Sequence, residues 1–285
     1  MRRFTRNTII FLLPMLVFGI VISYLRYQNL MKNINEAVKD YQSKSGFFVG
    51  DSHIKAIDTY TYDSTIANLG QGGEDIEVSI AKIKILLNKN THKTVYLSFA
   101  ENNIVNNPEM KDETRRRQFK YELFSSSERL MFILGHVKEF IHFVTFDNMQ
   151  SHGFGNGRGM PTTKIFNPKT VKNPRFVVMR FHYSDTSINR KKLQNMITDL
   201  NDYLISKQSK LILINVPATV LYKEYIPKTV FDTYNSLLNI FAQKDIEILN
   251  YENLNLNDSL FQDMNHLNVK GSKTIMSVIF QATHK

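Results

Sequence analysis

The sequence predicts an α/β domain, a central parallel sheet with helices on both faces. Two β-α-β passages predict it, in which short apolar runs end in polar, glycine-bearing turns and amphipathic stretches lie between. The first run, Gly46-Phe47-Phe48-Val49, leads straight into Gly50-Asp51-Ser52. A hydroxyl held at the C-terminal edge of a sheet stands where α/β proteins place their chemistry.

Taken in order, the chain opens with Arg2, Arg3 and Arg6, followed by an uncharged, almost wholly apolar run from Ile9 to Leu25 closed by Arg26. As a helix that run is about 25 Å long, enough to cross a bilayer with local thinning. The basic tip predicts an N-terminus inside the cytoplasm and the remainder outside, on the periplasmic or cell-surface side. A cleaved signal peptide is the rival reading, but bulky Tyr24-Leu25-Arg26-Tyr27 offers no small-x-small cleavage site. Residues 1–27 are therefore read as a cytoplasmic tip and transmembrane signal anchor in the cytoplasmic membrane. Leu30, Ile34, Val38 and Tyr41 recur at helical spacing, so 28–45 reads as a helical neck between membrane and domain.

The domain proper spans 46–285. Strands are predicted at Phe47–Val49, Ile66–Leu69, Thr94–Phe99, Lys210–Val216 and Ile246–Asn250. Helices are predicted over Glu74–Asn88, Arg190–Ser206 and Thr229–Lys244, with a closing helix from Gly271 to about Thr283. Between the third and fourth strands lies a helical and glycine-rich insertion around 104–175. It holds the basic run Arg115-Arg116-Arg117 and a loop over 151–161 in which His152 and Arg158 are candidate substrate contacts.

Of the 285 residues, 42% are hydrophobic, so the chain can bury a sizeable core. No cysteine is present, which excludes a disulfide framework, a thiolate nucleophile and thiolate metal sites. The formal charge of +10 favours anionic surroundings such as a headgroup layer or an acidic glycan. Nucleic acid is not an expected partner, because no aromatic-basic recognition motif or zinc-finger spacing accompanies that charge.

Serine needs a base, a group to orient the base, and donors for an oxyanion. The strand ends supply candidates in order: Gly50-Asp51-Ser52, then Asn68-Leu69-Gly70-Gln71-Gly72-Gly73, then Ala100-Glu101-Asn102-Asn103, and near the C-terminus Asp263-Met264-Asn265-His266. Each motif alone is common. As a set, over about Gly46 to Thr283, they resemble the SGNH (GDSL-type) hydrolase superfamily. That resemblance implies a three-layer α/β/α, flavodoxin-like domain with Ser52 as nucleophile, His266 as base and Asp263 orienting it. It implies an oxyanion hole made by the Ser52 and Gly73 backbone N–H groups and the side chain of Asn102, or of Asn103 beside it. Ala100 stands where the family carries glycine, so the register of that third block is open. No metal or organic cofactor is required by this chemistry. Asp51 and His53 are read as turn and supporting residues, and Glu74 and Asp75 as acids favoured at a helix N-terminus.

With the anchor, the resemblance implies an extracytoplasmic esterase or O-acetyltransferase acting on a cell-envelope polysaccharide through an acyl-serine intermediate. Its implied partners are the membrane, an acylated envelope polymer and a multi-spanning membrane O-acyltransferase. The alternative is a non-catalytic accessory to such an acyltransferase, as in D-alanylation of teichoic acid.

Overall fold

The structure, a computed structural model, describes residues 32–88, 90–105 and 157–283, with a few positions between 21 and 29 and Gly135. Five strands form one parallel sheet in the order 2-1-3-4-5: β1 (Gly46–Val49), β2 (Ile66–Asn68), β3 (Thr94–Ser98), β4 (Lys210–Asn215) and β5 (Glu247–Asn250). The chain leaves β1 toward β2 and then crosses back to β3, so the direction of winding reverses between β1 and β3. Right-handed crossovers then put successive connections on opposite faces and open a crevice at the C-terminal ends of those two strands.

The helices are α1 (residues 32–40), α2 (Ser52–Lys55), α3 (Ile76–Leu87), α4 (Pro174–His182), α5 (Arg190–Ser206), α6 (Val220–Lys223), α7 (Lys228–Ala242) and α8 (Val269–Thr283). On one side of the sheet α3, α5 and α7 adjoin: Tyr203 Oη donates to the Lys84 carbonyl, and Arg190 reaches Ser236. On the other, α8 packs on the segment after α2, where Ser272 Oγ accepts from Asp58 N–H and Tyr62 stacks on Phe280. Strands β1, β2 and β4 are buried almost throughout, as unbroken apolar runs require when both faces of a parallel sheet are covered.

The predicted strands and the helices α3, α5, α7 and α8 stand within two residues of their expected limits. Helix α4 is additional, and Asn173 starts it by accepting the Phe176 N–H ahead of Pro174. Ile34, Ala37 and Val38 of α1 belong to the domain core, so the described part of the neck is docked rather than free-standing. The anchor lies almost wholly outside the described residues, and among those no helix is long and apolar enough to cross a membrane. The part of the insertion that holds Arg115–Arg117 and His152 also lies outside them.

Two buried acidic groups sit beneath the turns that border the crevice. Glu74, which follows Gly73, is not in the first turn of α3. Its carboxylate pairs with Lys82 and accepts from Ser79 Oγ at 2.7 Å, while Lys82 also donates to the Leu69 carbonyl at 3.0 Å. Both side chains of the pair are fully buried. The correction to the helix-dipole reading is physical: a charge this deep is tolerable only when paired and hydrogen-bonded, and the pair ties the turn after β2 to α3. Asp75, by contrast, caps α3 as expected.

Glu101, after β3, lies beside Glu252 and accepts from Asn215 Nδ2 at 3.4 Å. Burial, and then the neighbouring Glu252 carboxylate, push Glu101 up to about 8. One oxygen of Glu252 has no hydrogen-bond partner among the described residues.

Replacing Lys82 by Met strands the Glu74 carboxylate in the core and should cost about 3–5 kcal/mol in urea unfolding, whereas Lys82→Met with Glu74→Leu should recover most of it. For Glu101, the folded chain keeps a proton to about pH 8 that the unfolded chain releases near 4.5. The folded state therefore binds more protons in that window, and stability should fall as pH rises through it, by at most about 1.4 kcal/mol per unit. Glu101→Gln should flatten that slope in melting curves taken between pH 5 and 8.5.

Candidate active site

The site begins with the way β1 ends. Gly50 has φ +149, and a Cβ there would lie 2.2 Å from the Ser98 side chain, so only glycine lets β1 and β3 approach this closely. Asp51 follows as the N-cap of α2, accepting the His53 N–H at 3.0 Å. Ser52 is then the first residue of α2, where backbone amides have no partner within the helix. The turn after β2 is tied alongside: Leu69 N–H donates to Phe48 O and Gln71 N–H to Gly50 O. Asn68 clamps both elements, donating to the Ile54 and Ile57 carbonyls and accepting from Gly70 N–H.

The other half of the site arrives with the loop between β5 and α8. Phe261 and Leu267 pair across it, Gln262 N–H donates to His266 O, and Thr219 donates to Met264 O through both its backbone and its hydroxyl. Asn268 closes it, donating to the Ser259 and Phe261 carbonyls while accepting from Gly271 N–H at the start of α8. This framework holds Asp263 so that its carboxylate takes the His266 backbone N–H at 2.8 Å and the ring Nδ1–H at 2.9 Å.

Ser52 and His266 meet. Nε2 of His266 lies 2.7 Å from Ser52 Oγ. A carboxylate can only accept, so the proton shared with Asp263 sits on Nδ1, and Nε2 is left as an acceptor for the serine O–H. Burial would raise the Asp263 carboxyl, but hydrogen bonding to His266 and its charge outweigh that and hold it below its usual range. The structure thus brings together three of the residues singled out in the sequence.

The oxyanion candidates are placed as follows. Gly73 is an exposed turn residue with φ +64 between the tied end of β2 and the buried Glu74. Asn102 and Asn103 each donate Nδ2–H to Asp51 Oδ2 at 3.1 Å. Asn103 is anchored again, its Oδ1 accepting the Ala100 N–H at 2.8 Å. Ser98 Oγ adds a further donor to Asp51 at 3.2 Å.

Asp51 is 4% exposed and His53 is 7% exposed. Burial would raise the Asp51 carboxyl; the His53 imidazole and the bonds from His53, Asn102 and Asn103 overturn this and hold it far below the usual carboxylate range. His53 donates Nδ1–H to Asp51 at 3.0 Å and stacks on His266, with ring centroids 5.0 Å apart. On its far side Nε2 meets Asn265 Nδ2 at 3.0 Å, and the same amide reaches His182 Nε2 at 3.3 Å. Burial, then His53 and His266 nearby, push His182 down to about 4.

Asn265 and His182 were not singled out in the sequence. The Asn173-Pro174 start and the apolar positions Val177, Val178 and Phe181 are the signal that would have found α4 and, at its end, His182. Arg158 packs over the Tyr60 ring at 4.3 Å rather than over Ser52. Beside His266 opens a cavity of about 660 Å³, lined by α4, the residues around Phe166 and the Asp263–His266 loop. Among the described residues no cluster of His, Cys, Asp and Glu is arranged to hold a metal ion.

No protein-family model matches the chain, and no curated protein matches it in sequence. Among solved structures, the chain is similar to a protein described provisionally as an acylhydrolase from Bacteroides fragilis NCTC 9343. The identity is 11% and the TM-score 0.40, with 83% of this chain and 85% of that one covered. It is also similar to a GDSL-like lipase from Bacteroides thetaiotaomicron VPI-5482, at 10% identity and a TM-score of 0.42, covering 88% of this chain and 97% of that one.

Proposed function

We propose that this chain is a serine-dependent acyl-ester enzyme working through an acyl-Ser52 intermediate. The observation that carries the reading is the 2.7 Å contact between Ser52 Oγ and a His266 ring whose tautomer Asp263 fixes. As Oγ attacks the ester carbonyl, its proton passes to Nε2, and Asp263 stabilises the imidazolium that results. The departing alkoxide takes that proton. Water, or a sugar hydroxyl, then attacks the acyl carbon while giving its proton to Nε2, and the bond to Ser52 Oγ breaks as Nε2 returns that proton to the serine oxygen.

The tetrahedral oxyanion needs donors already in place. Ser52 N–H at the start of α2 and Gly73 N–H in the adjoining turn are the backbone choices. Asn102 is the better side-chain choice: each asparagine spends one Nδ2–H on Asp51 and keeps another, but Asn103 is also pinned through its Oδ1 to the Ala100 N–H. A single donor of this kind is worth about 2.7–4 kcal/mol.

The finer reading is a membrane-anchored enzyme outside the cytoplasm that removes or transfers acyl groups on an envelope polysaccharide, beside a membrane O-acyltransferase. It is supported by the apolar run Ile9–Leu25 behind three arginines and by the charge of +10. Removing residues 1–27 should move the protein from the membrane to the soluble fraction.

A fluorophosphonate should label Ser52 in the wild type and leave Ser52→Ala and His266→Ala unlabelled, read by peptide mass spectrometry. Asp263→Asn should keep the fold and lower kcat for an aryl acetate by roughly 10²- to 10⁴-fold, since the imidazole then takes the wrong tautomer. If Ser52→Ala retains wild-type turnover, the acyl-serine reading is wrong. If it loses turnover but still restores polymer acylation to a deletion strain, the accessory reading takes its place.

A further inference from the structure

We propose that the cavity beside His266 receives the alcohol side of the ester, and that this alcohol carries an apolar group. The inference rests on the acyl-Ser52 reading; within the envelope reading it assigns the apolar alcohol to the acyl donor, which leaves first, and a sugar hydroxyl to the acceptor that follows. Its starting point is proton bookkeeping: Ser52 Oγ gives its proton to Nε2 as the bond to the acyl carbon forms. When the bond from that carbon to the alcohol oxygen breaks, the same proton goes to the departing oxygen. The leaving oxygen must therefore face Nε2, and whatever it carries projects past the imidazole.

The cavity of about 660 Å³ lies on that side: Asp263, Met264, Asn265 and His266 all line it. Neither Ser52 nor the turns holding Gly73 and Asn102 are among the described residues that do so. Its volume falls in the range of small-molecule sites. The walls come mainly from Phe166, Val171, Val177 and Phe181, with Met264 on the loop. At the mouth Ile165 is 58% exposed and Phe181 57% exposed, an apolar rim that a bound alkyl or aryl group would cover. His182, at the end of α4, presents an uncharged ring, wedged edge-on against Tyr222 with centroids 5.4 Å apart. Lys164, Asn167, Thr170 and Gln262 also line it, but most of its exposed lining is apolar, which suits an alkyl or aryl group.

Two ester series on the full-length protein test this: acetates of ethanol through hexanol, and ethyl esters of acetate through hexanoate. The kcat/KM should rise by roughly tenfold or more along the alcohol series, mainly through KM, and stay nearly level along the acyl series. The hexyl-to-ethyl ratio should fall toward unity in Val177→Phe, which fills the cavity. It should fall several-fold in Phe181→Ser, whose exposed side chain can be changed without disturbing the core. A level alcohol series, a rise confined to the acyl series, or a ratio unmoved in both variants overturns the proposal while Ser52 still labels with fluorophosphonate. Absence of both labelling and hydrolysis overturns the acyl-serine reading, and this proposal with it.

Discussion

The site depends on one buried carboxylate. Asp51 ends the turn after β1 and draws donors from three places: His53 two residues on, Ser98 at the end of β3, and Asn102 and Asn103 just beyond. An isolated charge in that position would be prohibitively expensive, so its partners are obligatory. That obligation pulls the ends of β1 and β3 together at the reversal point of the sheet. Gly50 makes the approach sterically possible. Ser52, fixed one residue later at the start of a helix, inherits its position from this charge, not from any contact of its own hydroxyl.

Much of this was legible in the sequence because period and punctuation carried it. Unbroken apolar runs such as Leu211–Ile214 can only be strands covered on both faces, and Arg190–Ser206 shows its buried stripe at Leu193, Ile197, Leu200 and Leu204. The Ser52, Asp263 and His266 trio was legible through motif order. Lys82 was not, since a lysine within an amphipathic helix looks like a solvated residue until the fold shows it sealed against Glu74. The pairing of Glu101 with Glu252 was equally hidden, because nothing local links residues separated by most of the domain. His182 escaped for a simpler reason: α4 has nine residues and a basic, weakly patterned outer face, so its apolar positions did not stand out.

The same distinction explains the asymmetry of the site. The Ser52 half is built from Gly50 to Asn68, joined by local caps and clamps and tied to the end of β3 through Asp51. The His266 half is assembled from far-separated pieces, with Thr219 bonding Met264 and Phe166 bonding Phe261 in the loop between β5 and α8, which Asn268 closes. Sequence motifs can announce such a loop, but only the packing of α4 and α6 around it determines what lies beside the imidazole.

One consequence concerns where a proton can reside. Three imidazoles crowd this site, and two of them, His53 and His266, stack with centroids 5.0 Å apart. Two cations in that geometry would repel strongly, yet the proposed acyl-serine mechanism needs His266 to become one. Asn265 resolves the conflict. Its Nδ2 group faces Nε2 of both His53 and His182, so each of those nitrogens accepts a hydrogen bond and carries no proton. Burial lowers His53 and the adjacent Asp51 raises it more, so the carboxylate alone would favour an imidazolium there. To charge it, however, the Asn265 amide would have to turn its oxygen toward His53, and His182 would have to change tautomer to donate its own Nε2–H to that oxygen. With Asn265 as seen, Asp51 is satisfied by a neutral His53, and the positive charge of the proposed mechanism is reserved for the ring that touches Ser52.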